Sequence, residues 1–349
     1  MSSSDPIPKA VLYYDARSTW EEKGYGKDEI DLRLVDLSKG ENFSPSFLRL
    51  NPKGTVPTLV VPLENSLSPQ MESRYKAITD TEALIAFLDK SRSVMSHTHT
   101  TSAAPAPVLS PATVAMSSTA KSIIALLHSA PASPELLFYL NARDLPALKT
   151  GAPSVSAFLK GRKEALVRYL TEDESKEIRV SEKTKTFWLE KKSATEDLLS
   201  GLDDADKSDS ELSESGRKAR EEYFEKTKAA WEVDLALVLN KVCKEFVGPF
   251  ALGEQISVVD VHLAAWLHEL VILSGGSARD SGAMAIGRIE EHVGGGFAFA
   301  KDVVLPLPAA GLDGSGPAPT TTVVKAKLAV LWDALASRPS WQKVFGVES

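Results

Sequence analysis

The chain has 349 residues, enough at roughly 100 to 200 residues per domain for about two domains with a core in each, which excludes a small disulfide-stapled scaffold. Lys and Arg number 40 against 47 Asp and Glu, a net charge of -7, so no basic field exists to draw in a nucleic acid. The single cysteine, Cys243, excludes an internal disulfide and any metal site built on several thiolates; with no leader-like start and no run of ~18 apolar residues, the sequence predicts a soluble cytoplasmic protein without a membrane span.

The N-terminal part alternates strand-like and helix-like signals. Ala10-Val-Leu-Tyr-Tyr14 reads as a short buried strand, and Asp31 to Leu37 alternates with period two as a second. Ser44-Pro45, an N-cap followed by proline at the first helical position, predicts a short helix through Leu50 that Asn51-Pro52 must stop. Val56 to Val61 reads as a third strand beginning beside a proline, and Ile78 to Leu88 changes to helical spacing with Leu84, Ile85 and Leu88 on one face. This first domain is expected over 1–93. A linker follows over 94–109, where Ser96 to Ala106 has too little apolar surface to repay ordering.

Residues 110–349 are predicted to be mainly helical. Ser110-Pro111 reads as the start of a helix through His128, with further helices over Ser154 to Thr171 and Phe187 to Leu202. Phe224, Trp231, Leu235, Val238 and Val242 fall at steps of seven, four, three and four, one long apolar stripe. Asp203 to Glu211 reads as a solvated acidic turn, and Gly275 to Thr322, rich in Gly, Ala and Pro, as a loose region. Two insertions are expected, at about 151–222 and 275–322.

Chemistry concentrates in Asn51-Pro-Lys-Gly-Thr-Val-Pro-Thr-Leu59. A proline at the start of a buried strand removes a ladder donor, which either a cis Val56-Pro57 bond or a trans proline on an edge strand would accommodate. The cis form would aim the Val56 backbone outward, where an extended peptide can pair with it. In the C-terminal half, Ser257-Val-Val-Asp260 has the spacing of a capping box, with Ile256 and Val261 placed as a hydrophobic staple.

These residues carry a resemblance to the glutathione transferase family. The strand Val11-Leu-Tyr-Tyr14, the Asn-Pro-Lys-Gly-x-Val-Pro-x-Leu stretch, Asp80-Thr81 at a helix start, the box Ser257-Val-Val-Asp260 after Ala251-Leu-Gly-Glu-Gln255, and Arg338-Pro-Ser-Trp341 follow in the family's order. The resemblance implies a thioredoxin-like α/β domain followed by an all-α domain, here enlarged by the insertions. It further implies glutathione as co-substrate without a metal, a homodimer, and conjugation to an apolar electrophilic small molecule, as in detoxification. Val56 and Pro57 would meet the cysteinyl backbone of glutathione, Asp80 and Thr81 its γ-glutamyl end, and Lys53 its glycine carboxylate. Asp80 stands for the usual Glu and Thr81 for the usual Ser. From the residues alone, a solvated loop lysine is the favoured reading of Lys53, and Asp80-Thr81 reads as an ordinary helix start.

Glutathione's thiol is mostly protonated near neutral pH, so a donor must favour the thiolate. The resemblance offers two: Ser18, four residues after Tyr14, which is favoured, and Tyr13, three residues before Ala16-Arg17. Only Thr19-Trp-Glu-Glu22 separates Ser18 from Lys23-Gly24, about eight residues fewer than the family pattern, or roughly 12 Å of helix at ~1.5 Å per residue. That shortening motivates an alternative: a non-catalytic relative serving as ligand carrier or regulatory interaction protein. The remaining candidates read as structural. His97 and His99 are polar linker residues, His262 and His268 do not share a helical face, Gly294-Gly-Gly296 lacks a phosphate-loop ending, and Cys243 reads as a buried filler.

Overall fold

The computed structural model describes residues 9–15, 25, 29–62, 75–92, 107–202, 204–306 and 322–346. Their contacts form two compact units, one combining the described residues up to Val108 with Tyr139–Thr227, the other combining Leu109–Phe138 with those from Lys228 onward.

The first unit is built on a four-stranded mixed sheet, β1 (Ala10–Tyr14), β2 (Ile30–Leu34), β3 (Thr58–Pro62) and β4 (Tyr75–Ile78), in the order β2-β1-β3-β4. β1 runs parallel to β2 and antiparallel to β3, and β3 is antiparallel to β4. This is the thioredoxin-like sheet expected from the sequence. Between β2 and β3 lies α1 (Pro45–Leu50), begun as expected by Ser44, whose Oγ accepts the Phe47 N–H at 3.3 Å, with Pro45 in the first turn. α2 (Thr81–Ser91) packs Leu84 and Leu88 on Leu12, Leu59 and Val61, closing one core.

The rest of this unit comes from Tyr139–Thr227. After α3 (Val114–Leu127) and α4 (Pro134–Tyr139), the helices α5 (Leu145–Glu174) and α6 (Glu182–Ser200) set Leu166, Tyr169 and Trp188 against Phe43 and Leu48, and the Trp188 indole N–H donates to the Phe43 carbonyl at 2.9 Å. α5 is nearly twice the expected length and runs through Pro153. Asp144 caps it by accepting the Ala147 N–H at 2.8 Å, and burial of Leu148, Ala152 and Val155 carries the apolar face across the proline, so packing outweighs the lost backbone donor.

The second unit holds α3 and the helices following α7 (Glu214–Lys228): α8 (Ala236–Glu245), α9 (Val258–Leu273), α10 (Gly282–Val293), α11 (Lys327–Ala336) and α12 (Pro339–Phe345). A π-helical segment, Ala229–Leu235, joins α7 to α8 and divides the expected stripe: Trp231, Leu235, Val238 and Val242 are buried as predicted, but ahead of them Tyr223 and Thr227 are buried and Phe224 only half-buried. α3 starts at Val114 with Thr113 rather than Ser110 as its N-cap, the Thr113 hydroxyl accepting the Met116 N–H at 3.2 Å, while the preceding Leu109 carbonyl accepts the Val258 N–H at 2.9 Å.

Two further expectations are corrected. The region is not wholly helical: β5 (Lys301–Pro306) and β6 (Thr322–Ala326) pair antiparallel, and their β-branched Val303-Val304 and Val323-Val324 favour extended chain. Nor is Gly275 to Thr322 loose throughout, since it contains α10, which Ser281 caps and whose Ala285, Ile286, Ile289 and Val293 form a buried face hidden by the Gly- and Ala-rich composition.

Candidate functional site

Asn51, fully buried at the end of α1, shapes the turn that follows. Its amide Nδ2 donates to the Thr55 carbonyl at 2.7 Å and to the Thr55 and Thr58 hydroxyls, each at 3.0 Å, while its Oδ1 accepts the Lys53 N–H at 3.0 Å. Gly54 takes a left-handed φ of 63°, and a Cβ there would lie 3.2 Å from the Asn42 carbonyl oxygen and 3.4 Å from the Phe187 ring. Asn42 in turn donates from Nδ2 to the Gly54 carbonyl at 2.7 Å. Glycine is therefore demanded on both conformational and steric grounds.

This scaffold delivers the chain to a cis Val56-Pro57 bond, the cis alternative of the two the sequence left open. Val56 is half-buried, and its N–H and C=O make no hydrogen bond among the described residues. Tyr13 lies opposite Thr58, and Leu59 opposite Ile78; continuing the registers puts Pro57 beside Tyr14 on one side and Asp80 on the other. The Val56 backbone and the start of α2 thus meet at the same end of the sheet. Asp80 is the N-cap of α2, accepting the Ala83 N–H at 2.9 Å, and is exposed; Thr81 opens the helix half-buried, and Lys53 is exposed on the turn. An acceptor-rich cap, a hydroxyl, a cation and an unpaired backbone edge are together what an extended peptide with charged ends requires.

Tyr13 stands on the opposite sheet face from Leu12 and packs edge-on against Phe47 at 5.8 Å. Its phenol oxygen accepts from Arg33 Nη1 at 3.3 Å, which ties it towards β2, whereas Val56 and Pro57 lie on the β3 side of β1. Ser18, Lys23, Gly24, His97 and His99 lie outside the described residues.

The second pair singled out in the sequence forms the box it predicted. Asp260 Oδ2 accepts both the N–H and the hydroxyl of Ser257 at 2.7 Å. Its Oδ1 takes the Ala251 N–H at 2.7 Å, a third donor not foreseen from the sequence. Burial pushes the Asp260 carboxyl above its ordinary value, and these donors hold it only partly back. α9 is accordingly a buried helix, with Val259, Leu263, Leu267, Leu270 and Val271 fully enclosed, so Ser257 and Asp260 serve structure. Buried His262 meets His128 Nε2 through Nδ1 at 3.0 Å, a core role, and half-buried His268 stacks on Phe345 at 3.9 Å, a boundary one. Burial raises the Cys243 thiol to about 12, which suits a filler and not a nucleophile. Among the described residues no cluster of three or more His, Cys, Asp or Glu is placed to hold a metal ion.

Sequence reasoning registered Asn51 only as a helix stop and passed over Asn42 and Arg33. Asn51 carried a signal, standing first in the Asn-Pro-Lys-Gly run; Asn42 and Arg33 carried none.

Residues 16–91 match the family model described as the glutathione S-transferase N-terminal domain. Among solved structures, the chain is similar to a glutathione transferase homolog from Sulfitobacter with bound glutathione, at 14% identity over 96% of each chain with a TM-score of 0.44. It is also similar to human glutathione-S-transferase T1-1 in its apo form, at 17% identity over 82% of this chain and 84% of that one with a TM-score of 0.34. A third likeness is to glutathione transferase F7 from Populus trichocarpa, at 12% identity over 96% and 97% of the two chains with a TM-score of 0.37.

Proposed function

We propose that this protein, whose residues 16–91 make a glutathione S-transferase N-terminal domain followed by a largely helical region, binds glutathione at the Val56-Pro57 turn and transfers it to an apolar electrophile. The observation that carries the reading is the unpaired Val56 backbone at the sheet end where α2 begins with Asp80 and Thr81. The Val56 N–H and C=O pair with the cysteinyl residue of glutathione as a short added strand. Thr81 and the amino end of α2 receive the γ-glutamyl carboxylate, Asp80 its ammonium, and Lys53 the glycine carboxylate. Ser18 donates to the thiolate; the tie of Tyr13 to Arg33 favours the serine over the phenol. The active form is a cytoplasmic homodimer.

The four residues between Ser18 and Lys23 favour a second reading, since so short a helix nucleates poorly: glutathione is bound but turned over slowly or not at all. Titration calorimetry with glutathione and a conjugation assay with 1-chloro-2,4-dinitrobenzene separate the two. Under the first reading Ser18→Ala lowers kcat by ~100-fold and leaves the glutathione Kd nearly unchanged. Binding without turnover selects the carrier, loss of turnover in Tyr13→Phe but not in Ser18→Ala moves the chemistry to the phenol, and absence of binding defeats both readings.

A further inference from the structure

On the β2 side of β1, away from the Val56 turn, a cleft of about 310 Å³ lies within the first unit. Tyr13, Phe47 and Tyr169 give it aromatic walls, and Leu34 and Leu50 add apolar surface. Leu34 is 58% exposed, unusual for a large apolar side chain on a strand whose neighbours Ile30 and Val35 are buried. Arg33 is the cation of the cleft. One of its nitrogens donates to the Tyr13 phenol and Nε lies 3.6 Å from Asp31, which leaves Nη2 without a hydrogen-bond partner among the described residues. The acid lining the same cleft, Glu41, has its carboxylate turned to the backbone, accepting the Asp36 N–H at 2.8 Å.

We propose that this cleft binds a planar aromatic carboxylate. Its volume, at the low end for small-molecule sites, suits one or two rings, and apolar walls with few convergent polar groups are the usual make-up of such sites. The ring would lie among Tyr13, Phe47 and Tyr169, with the carboxylate on the Arg33 guanidinium in a charge-assisted pair. Tyr169 belongs to α5, so that helix supplies one wall, and β1, the end of β2 and α1 supply the others. Val56 and Pro57 lie on the β3 side of β1 and do not line the cleft, so the two ligands would occupy different places.

Titration of the full chain with 2-naphthoate, followed by calorimetry and saturation-transfer NMR, tests this. The expected result is saturable one-site binding with a Kd below about 1 mM, weakened at least ~10-fold in Arg33→Met and partly retained in Arg33→Lys. Ser46→Trp, at an exposed position lining the cleft, should block binding by filling it. Saturating glutathione should leave the naphthoate Kd unchanged. Three outcomes overturn the proposal: no saturable binding by the native chain, binding that survives both Arg33→Met and Ser46→Trp, and displacement by glutathione, which places the probe in the other site.

Discussion

Replacing Asn51 with alanine asks whether the Val56 turn is pre-shaped for a ligand. The substitution removes a fully buried amide and with it the donors to Thr55 and Thr58 and the acceptor for the Lys53 N–H. Not all of these groups are stranded: Thr58 Oγ1 still donates to the Thr55 carbonyl at 3.0 Å, and Lys53 is exposed, so its N–H rehydrates. At about 1 kcal/mol for each good hydrogen bond lost, plus the hole left by the side chain, the variant should be less stable by about 2 to 3 kcal/mol, yet folded. The ligand effect is separate. A turn that must be ordered on binding costs about 1 to 2 kcal/mol for each residue fixed, so re-ordering one or two residues should weaken glutathione by roughly 30-fold. Asn51→Asp keeps the shape but sets a carboxylate against the Thr55 carbonyl, and should be worse on both counts. Thermal melts followed by circular dichroism give the first quantity and titration calorimetry the second. A folded Asn51→Ala protein with the native glutathione Kd would refute the reasoning, because the turn would then not be what the ligand meets.

Two further substitutions test the frame around the site. Asp260→Ala strands the buried Ser257 and Ala251 N–H groups and should lower stability by about 2 to 4 kcal/mol, whereas Ser257→Ala, which removes only the hydroxyl, should cost about 1 kcal/mol; equal urea midpoints for the two variants would deny Asp260 its third partner. Gly161→Ala places a Cβ 2.2 Å from the Ser38 carbonyl oxygen, a backbone atom with little room to yield. Although alanine gains about 1 kcal/mol of helix propensity there, overpacking should prevail and leave the protein about 1 to 2 kcal/mol less stable, with 2-naphthoate bound more weakly as α5 and Tyr169 retreat; a raised melting temperature would show that α5 does not approach so closely.

What could be read from the sequence was what short-range rules govern. Ser44-Pro45 and the Ser257-Asp260 box each lie within a few residues, where a missing donor or a well-placed acceptor decides the backbone, whereas spacing alone left the Val56-Pro57 bond open between cis and trans. What could not be read depended on partners far away in the chain. Nothing local announces that Leu109 is engaged by Val258, that burial of Leu148 and Ala152 carries α5 through Pro153, or that a π segment divides the stripe ahead of Trp231. The same holds at the candidate site. Val56, Asp80 and Thr81 were legible as types at fixed spacing, but the Arg33 tie on Tyr13 arises only once β1 and β2 pair, with Tyr13 opposite Arg33.

The packing of α5 and α6 on Phe43 and Leu48 is the clearest case of sequence distance hiding structural closeness. Trp188, more than 130 residues beyond Asn51, is fully buried and bonds to the Phe43 carbonyl, and its neighbour Phe187 backs Gly54 inside the turn that presents Val56. A side chain of that size buries ~150 to 250 Å², worth about 4 to 6 kcal/mol at ~25 cal/mol per Å². Gly40 and Gly161 tighten the same contact from both sides: a Cβ on Gly40 would fall 2.6 Å from Ala165 Cβ, and one on Gly161 would meet Ser38. Approaches this close leave no room for a side chain at either position. α5 and α6 therefore act as a buttress for the 51–57 turn, and α5 through Tyr169 also lines the cleft beside Tyr13 and Phe47; if glutathione binds at the turn as proposed, a mutation in α6 facing Phe43 should weaken it without altering any residue proposed to touch it.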